Sequence, residues 1–208
     1  MKMLKGFHGL TEALRVQRWD DHRYYHQSRI NQALHLISAL SFLTAYVFLF
    51  IDPVMAALIA WLIAMTTRQI GHFFFESKAY DTINNASHEH KEAIKVGYNL
   101  SRKVVLLSIW AAIPLFALVY PPAVTWAVPQ VFEDTTLRTI GIAWFFLGIA
   151  GLLFRAGQLV INENVTHATA WLIKIITDPF HDVKLYHRSP IYLLRGEFHD
   201  PMTHVRHS

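Results

Sequence analysis

The feature that most constrains this chain is where its charges are missing. Within residues 36–71 the only charged side chains are Asp52 and Arg68, and residues 104–132 and 139–154 carry none. A helix needs roughly 20 apolar residues to cross about 30 Å of hydrocarbon. The first block is long enough for two crossings folded at Asp52-Pro53, because a proline disfavours helix at the residue before it. The other two blocks supply one crossing each, separated by Pro121, Pro122 and Pro129. The pattern predicts an all-α integral membrane protein with four transmembrane helices near 35–51, 54–74, 103–120 and 138–157. A soluble bundle is the poorer reading, since core helices keep a polar face and these stretches have almost none.

Composition narrows the function classes. Of the 208 residues 53% are hydrophobic and 16% charged, against about 25% charged in an ordinary soluble domain. The chain has no cysteine, which excludes disulfides, thiolate zinc sites and cysteine-held iron–sulfur clusters. A net charge of +4, explained by loop topology, gives no argument for nucleic acid. Lys and Arg concentrate in residues 1–30, 77–103 and 155–208 and are absent from 52–53 and 121–137. By the positive-inside rule both termini and the central loop are expected in the cytoplasm, and the polar residues 77–102 of that loop are expected to be helical. Residues 1–30 are rich in charge and lack the apolar core of a cleaved signal, so the first crossing is expected to be retained. We divide the chain at 160, with a four-helix transmembrane domain before it. After it, residues 161–208 form an amphipathic helix and a membrane-surface arm that contacts lipid. The absence of an ER-retrieval tail and of a targeting segment favours a bacterial inner membrane over an endoplasmic-reticulum one.

The 13 histidines sort to the cytoplasmic helix ends. His35 precedes the Asp52-Pro53 turn by nearly the distance at which His72 follows it, so on antiparallel helices the two share a depth. Asn31 lies one turn before His35 and Glu76 one turn after His72, each on its partner's face. His22 and His26 form another pair spaced by four. His26 and His35 are nine apart, which puts them on opposite faces of an unbroken helix. They meet only if the chain breaks near Gln27-Ser28. Imidazoles with a carboxylate and no thiolate suit iron, zinc, copper or manganese, and open His/carboxylate sets are typical of non-haem iron oxygen chemistry. His88 and His90 point apart on a helix, so at most one of them, His88, joins a site. His167 is a further candidate ligand at the start of an amphipathic stretch, residues 164–177. Lys184, Arg188 and Arg195, in the aromatic and basic arm, are candidates for a fatty-acid carboxylate, which suits a guanidinium fork.

The segment YHQSRINQALH, with Tyr25-His26, Asn31 and His35, resembles the first block of the 2-hydroxy fatty acid dioxygenase family. QIGHFFFE, from Gln69 to Glu76, resembles its second block. The resemblance implies a small membrane enzyme that uses Fe²⁺ and O2 to remove one carbon from a 2-hydroxy fatty acid. It implies His26, His35 and His72 as iron ligands, with Asn31 and Glu76 orienting them or completing the shell, and Tyr25 and Gln69 as neighbours in support. The rival readings are a dinuclear-iron lipid hydroxylase or desaturase, a haem protein with His35 and His72 as axial ligands, and a membrane scaffold with merely interfacial histidines.

Overall fold

The computed structural model describes residues 2–94, 100–126 and 135–202. His204 and His207, and residues 127–134 of the connection expected on the far side of the membrane, lie outside them. The described residues form helices and connecting turns, with two isolated bridges, Ser28 to His199 and Asp81 to Ala86, and no strand among them.

Helix α1 spans Lys2–Tyr25 and α2 spans Arg29–Phe48. The next apolar stretch, Pro53–Phe74, is a continuous helix that we number α3, with a π-helical segment at Ile59–Met65. Asp52 starts it as an N-cap, accepting from the backbone N–H groups of Val54 and Met55, with Pro53 in the first turn. After α4 (His88–Ile94) come α5 (Leu100–Val119), the short α6 (Pro122–Thr125) and α7 (Thr136–Asn162). Two more, α8 (Val165–Tyr186) and α9 (Ser189–Leu194), close the described chain.

Three helices, α2, α3 and α7, are long and apolar enough to cross a membrane. Only 28–39% of their most apolar windows is buried, so most of that surface faces outward. The fourth expected span corresponds to α5, whose described apolar part, Val104–Val119, is shorter than those three.

Packing divides the molecule into two halves. At the Asp52 end, α3, α5 and α7 share an apolar core that includes Val54, Leu58, Trp61, Ile140 and Trp144. Trp61, Trp110 and Trp144 stack through it, with centroids 6.5 and 5.3 Å apart, and Arg138 anchors the start of α7 on Asp52 at 2.8 Å. At the other end α1, α2, the last turns of α3 and α8 pack around buried polar side chains.

Two expectations change. Residues 77–87 are not helical, because Asp81 Oδ1 accepts from the backbone N–H groups of Ile83 and Asn84 and curls the chain. Of the central loop expected to be helical, the described residues are helical only in α4 and from Leu100 onward. The amphipathic stretch and the arm are not separate, since α8 runs unbroken through Pro179. An internal proline costs about 3 kcal/mol. The helix nonetheless continues, with Pro179 fully buried, and packs against α1 and α2 with Lys174, Asp178, Asp182 and Tyr186 buried at every fourth residue.

Gly141 marks the closest approach of α3 and α7: a Cβ there would stand 2.6 Å from Val54 Cγ1. Gly141→Ala is expected to destabilise the protein by about 1–3 kcal/mol. Gly157→Ala, with open space around it, should leave the midpoint unchanged. Thermal unfolding in detergent compares the two.

Candidate metal centre

The site begins where α1 stops. Ser28 caps α2 by accepting from Asn31 N–H, and His26 sits in the short break between the helices. The break turns His26 back onto the face that carries His35. Its Nδ1 donates to the Asp21 carbonyl at 2.9 Å, which leaves Nε2 with a lone pair. That Nε2 lies 3.2 Å from both ring nitrogens of His35. His72 enters from α3, its ring 4.7 Å from that of His35 and 5.6 Å from that of His26. Its Nδ1 holds Glu76 Oε2 at 2.6 Å. One nitrogen from each histidine lies within 4.8 Å of the others.

This donor set fits a metal ion. Two nitrogens each about 2.1 Å from one ion sit no more than about 4.2 Å apart, so small ring rotations close the triangle. Two of the rings already have the outward nitrogen on an oxygen, the arrangement that orients ligating imidazoles. Burial, together with the neighbouring His35, pushes His26 well below the ordinary histidine value and keeps it neutral. The haem reading does not fit. His35 and His72 are edge to face at 4.7 Å, with the His26 ring 4.2 Å from His35, and no slab for a macrocycle lies between them.

The neighbours from the two sequence blocks hold this geometry in different ways. Asn31 is fully buried and donates to the Tyr25 carbonyl at 2.7 Å, closing the break. Its Oδ1 has no hydrogen-bond partner and presses on Gly71, where a Cβ would stand 2.1 Å away. Only glycine admits this contact, and through it α3 comes close enough to α2 for His72 to reach His35. Gln69 Oε1 is likewise a buried acceptor without a partner. The Tyr25 hydroxyl donates to the Lys91 carbonyl, so its side chain is tied to α4 rather than aimed at the histidines.

The other sequence candidates are not in the cluster. His88 starts α4, and among the described residues the metal-competent group contains only His26, His35 and His72. His167 is bonded to Asn164 at the start of α8, about 28 Å along the helix from Tyr186. Lys184, Arg188 and Arg195 have exposed side chains at the end of α8 and around α9.

What sequence reasoning missed is a second layer supplied by α8. The Tyr186 hydroxyl meets His22 Nδ1 at 3.0 Å, and its ring lies 5.4 Å from that of His26. Asp182 stands 3.7 Å from His35 Nδ1 and 3.4 Å from Arg68. Lys174 bridges Asp21 at 3.0 Å and Asp178 at 2.6 Å. Burial raises Asp21, but the charges of Lys174 and Arg68 outweigh it and hold that carboxyl well below the usual range. Burial likewise opposes the charge on Lys174, and the two carboxylates overcome it. The signals were the four-residue spacing in α8 and the lone Arg68 in an apolar span, a position where a charge is costly and usually functional.

The C-terminal segment locks the break from outside. Asp200 N–H donates to the Gln27 carbonyl at 2.8 Å, and Arg29 N–H to the Phe198 carbonyl at 2.9 Å. Gln32 uses its whole amide: Nε2 donates to the His26 carbonyl and to Asp200, and Oε1 accepts from Ser189.

Lys174→Met leaves the buried Asp178 carboxylate, with the half-buried Asp21 nearby, without its cation and should cost about 3–5 kcal/mol. Replacing Asp21 and Asp178 by amides in the same chain should recover part of that loss. Unfolding midpoints of the two variants check this.

No curated protein and no solved structure matches the chain. Residues 16–89 match the family model described as 2-hydroxy-palmitic acid dioxygenase Mpo1-like. The matched stretch contains the break and all three clustered histidines, together with Asn31, Gln69, Gly71 and Glu76. The likeness of YHQSRINQALH and QIGHFFFE to the 2-hydroxy fatty acid dioxygenases is thus matched by the family model over residues 16–89.

Proposed function

We propose that this protein is an Fe²⁺-dependent dioxygenase that cleaves 2-hydroxy fatty acids to acids one carbon shorter. The observation that carries the reading is the convergence of His26, His35 and His72, from two sequence blocks, at one end of an apolar hairpin. Iron held there would supply O2 activation and a chelating position for the hydroxy acid.

The protein's own residues do the rest. His26, His35 and His72 offer one ring nitrogen each. The Asp21 carbonyl and Glu76 fix two of the rings, and Asn31 and Gly71 set the spacing between the helices that carry them. The unpartnered Oδ1 of Asn31 and Oε1 of Gln69 are buried acceptors available to a donor such as a substrate hydroxyl. Tyr25 acts through its backbone carbonyl, which holds Asn31. The acyl chain would remain among the apolar helices while its carboxylate end meets the site at the membrane boundary. In this reading the site faces the cytoplasm, and a bacterial inner membrane is the favoured setting. Lys184, Arg188 and Arg195 would meet a carboxylate only at the surface, as it enters.

Metal content of the detergent-purified protein, beside His72→Ala, tests the reading. The expected result is about one iron per chain in the wild type and almost none in the variant. The loaded wild type should then convert 2-hydroxy fatty acids, and the variant should not. A wild type that takes up no metal after anaerobic reconstitution with iron overturns the reading.

A further inference from the structure

Two of the three clustered imidazoles are oriented from nearby in the sequence. His26 is held by the Asp21 carbonyl, five residues earlier, and His72 by Glu76, four residues later. His35 lies in mid-helix and presents both ring nitrogens to His26 at the same 3.2 Å. Contact with His26 therefore does not decide which nitrogen faces the centre of the cluster. A carboxylate on the Nδ1 side does decide it, and α8 brings one there.

Asp182 is 6% exposed, and its Oδ2 stands 3.7 Å from His35 Nδ1. The same oxygen lies 3.4 Å from an Arg68 guanidinium nitrogen. Arg68 precedes His72 by one turn of α3, so it projects from the same helix face. The guanidinium keeps the carboxylate in place, and the carboxylate lies beside the ring. Neither residue belongs to the two sequence blocks, and Asp182 is far outside residues 16–89.

We propose that Asp182 is a positioning residue of the metal centre. It holds the His35 ring with Nδ1 outward and Nε2 toward the other two histidines, and Arg68 anchors it in that position. The C-terminal helix thus completes a centre whose donors all come from the first half of the chain. The inference rests on the reading that the three histidines hold a metal. It adds that their geometry is set by a carboxylate from α8.

The competing role for Asp182 is plain charge balance for the buried Arg68, and three variants separate the two roles. The probe is Co²⁺, whose visible bands report the ligand geometry and whose titration gives an affinity without any assay of turnover. Asp182→Ala should bind Co²⁺ 10–100-fold more weakly, the range seen when an oriented imidazole loses its outer partner, and its bands should shift. The double variant Arg68→Gln/Asp182→Ala removes both charges and should remain equally impaired. Arg68→Gln alone, which keeps the carboxylate, should stay closer to the wild type. Recovery of wild-type affinity and bands in the double variant overturns the proposal and leaves Asp182 as a counter-ion. Unchanged binding in Asp182→Ala overturns it as well. A wild type that binds no Co²⁺ removes the metal reading itself, an outcome distinct from these two. Helical circular dichroism identifies a variant that has not folded, and the double variant, which removes the guanidinium and the carboxylate beside it together, keeps the question answerable.

Discussion

Everything at the histidine cluster depends on the chain not continuing as a helix between Tyr25 and Arg29. Nine residues of uninterrupted helix would carry His26 and His35 to opposite faces. Helix propensity does not enforce the stop, since neither proline nor glycine lies in the break. It is enforced by hydrogen bonding. Ser28 caps α2, Asn31 returns to the Tyr25 carbonyl, Gln32 takes the His26 carbonyl, and Asp200 occupies the Gln27 carbonyl from outside. The carbonyls of Tyr25, His26 and Gln27, which a continuing helix would have satisfied internally, thus each have another partner.

That constraint explains which parts of the structure were legible in the sequence. The apolar blocks gave three helices to within a few residues, because the absence of charge over twenty positions has few other meanings. Asp52-Pro53 gave the hairpin turn, since an N-cap followed by proline is a local signal. The equal distances of His35 and His72 from that turn gave their shared depth, and the nine-residue separation gave the break itself. These inferences need only helix geometry and neighbours along the chain.

The unread remainder is long-range. The side chains that surround the cluster from α8 lie more than a hundred residues downstream, and nothing local marks Asp182 or Tyr186 as facing His35 and His22. Their spacing of four becomes meaningful only if α8 runs through Pro179, and a proline read in isolation argues for a boundary there. The division at residue 160 follows the end of the last apolar block, whereas the packing of α8 on α1 and α2 is long-range. His167 was misleading in the opposite way: its place beside an amphipathic stretch suggested the site, but α8 is long enough to carry it to the far end. The cations at 184, 188 and 195 are exposed, whereas the half-buried Arg68 and the buried Lys174 sit with acidic partners near the cluster.

The clamp on the break also sets an order of assembly. The hairpin of α2 and α3 is synthesised early and is apolar enough to enter a bilayer as soon as it is made. Asp182, Ser189 and Asp200 leave the ribosome only after more than a hundred further residues. Until they arrive, the Gln27 carbonyl, Gln32 Oε1 and the Nδ1 side of His35 lack the partners that α8 and the segment after it supply. On the proposed reading of the cluster as a metal centre, a chain interrupted before α8 would bind metal poorly. The geometry of the cluster is completed last, when α8 folds over α1 and α2.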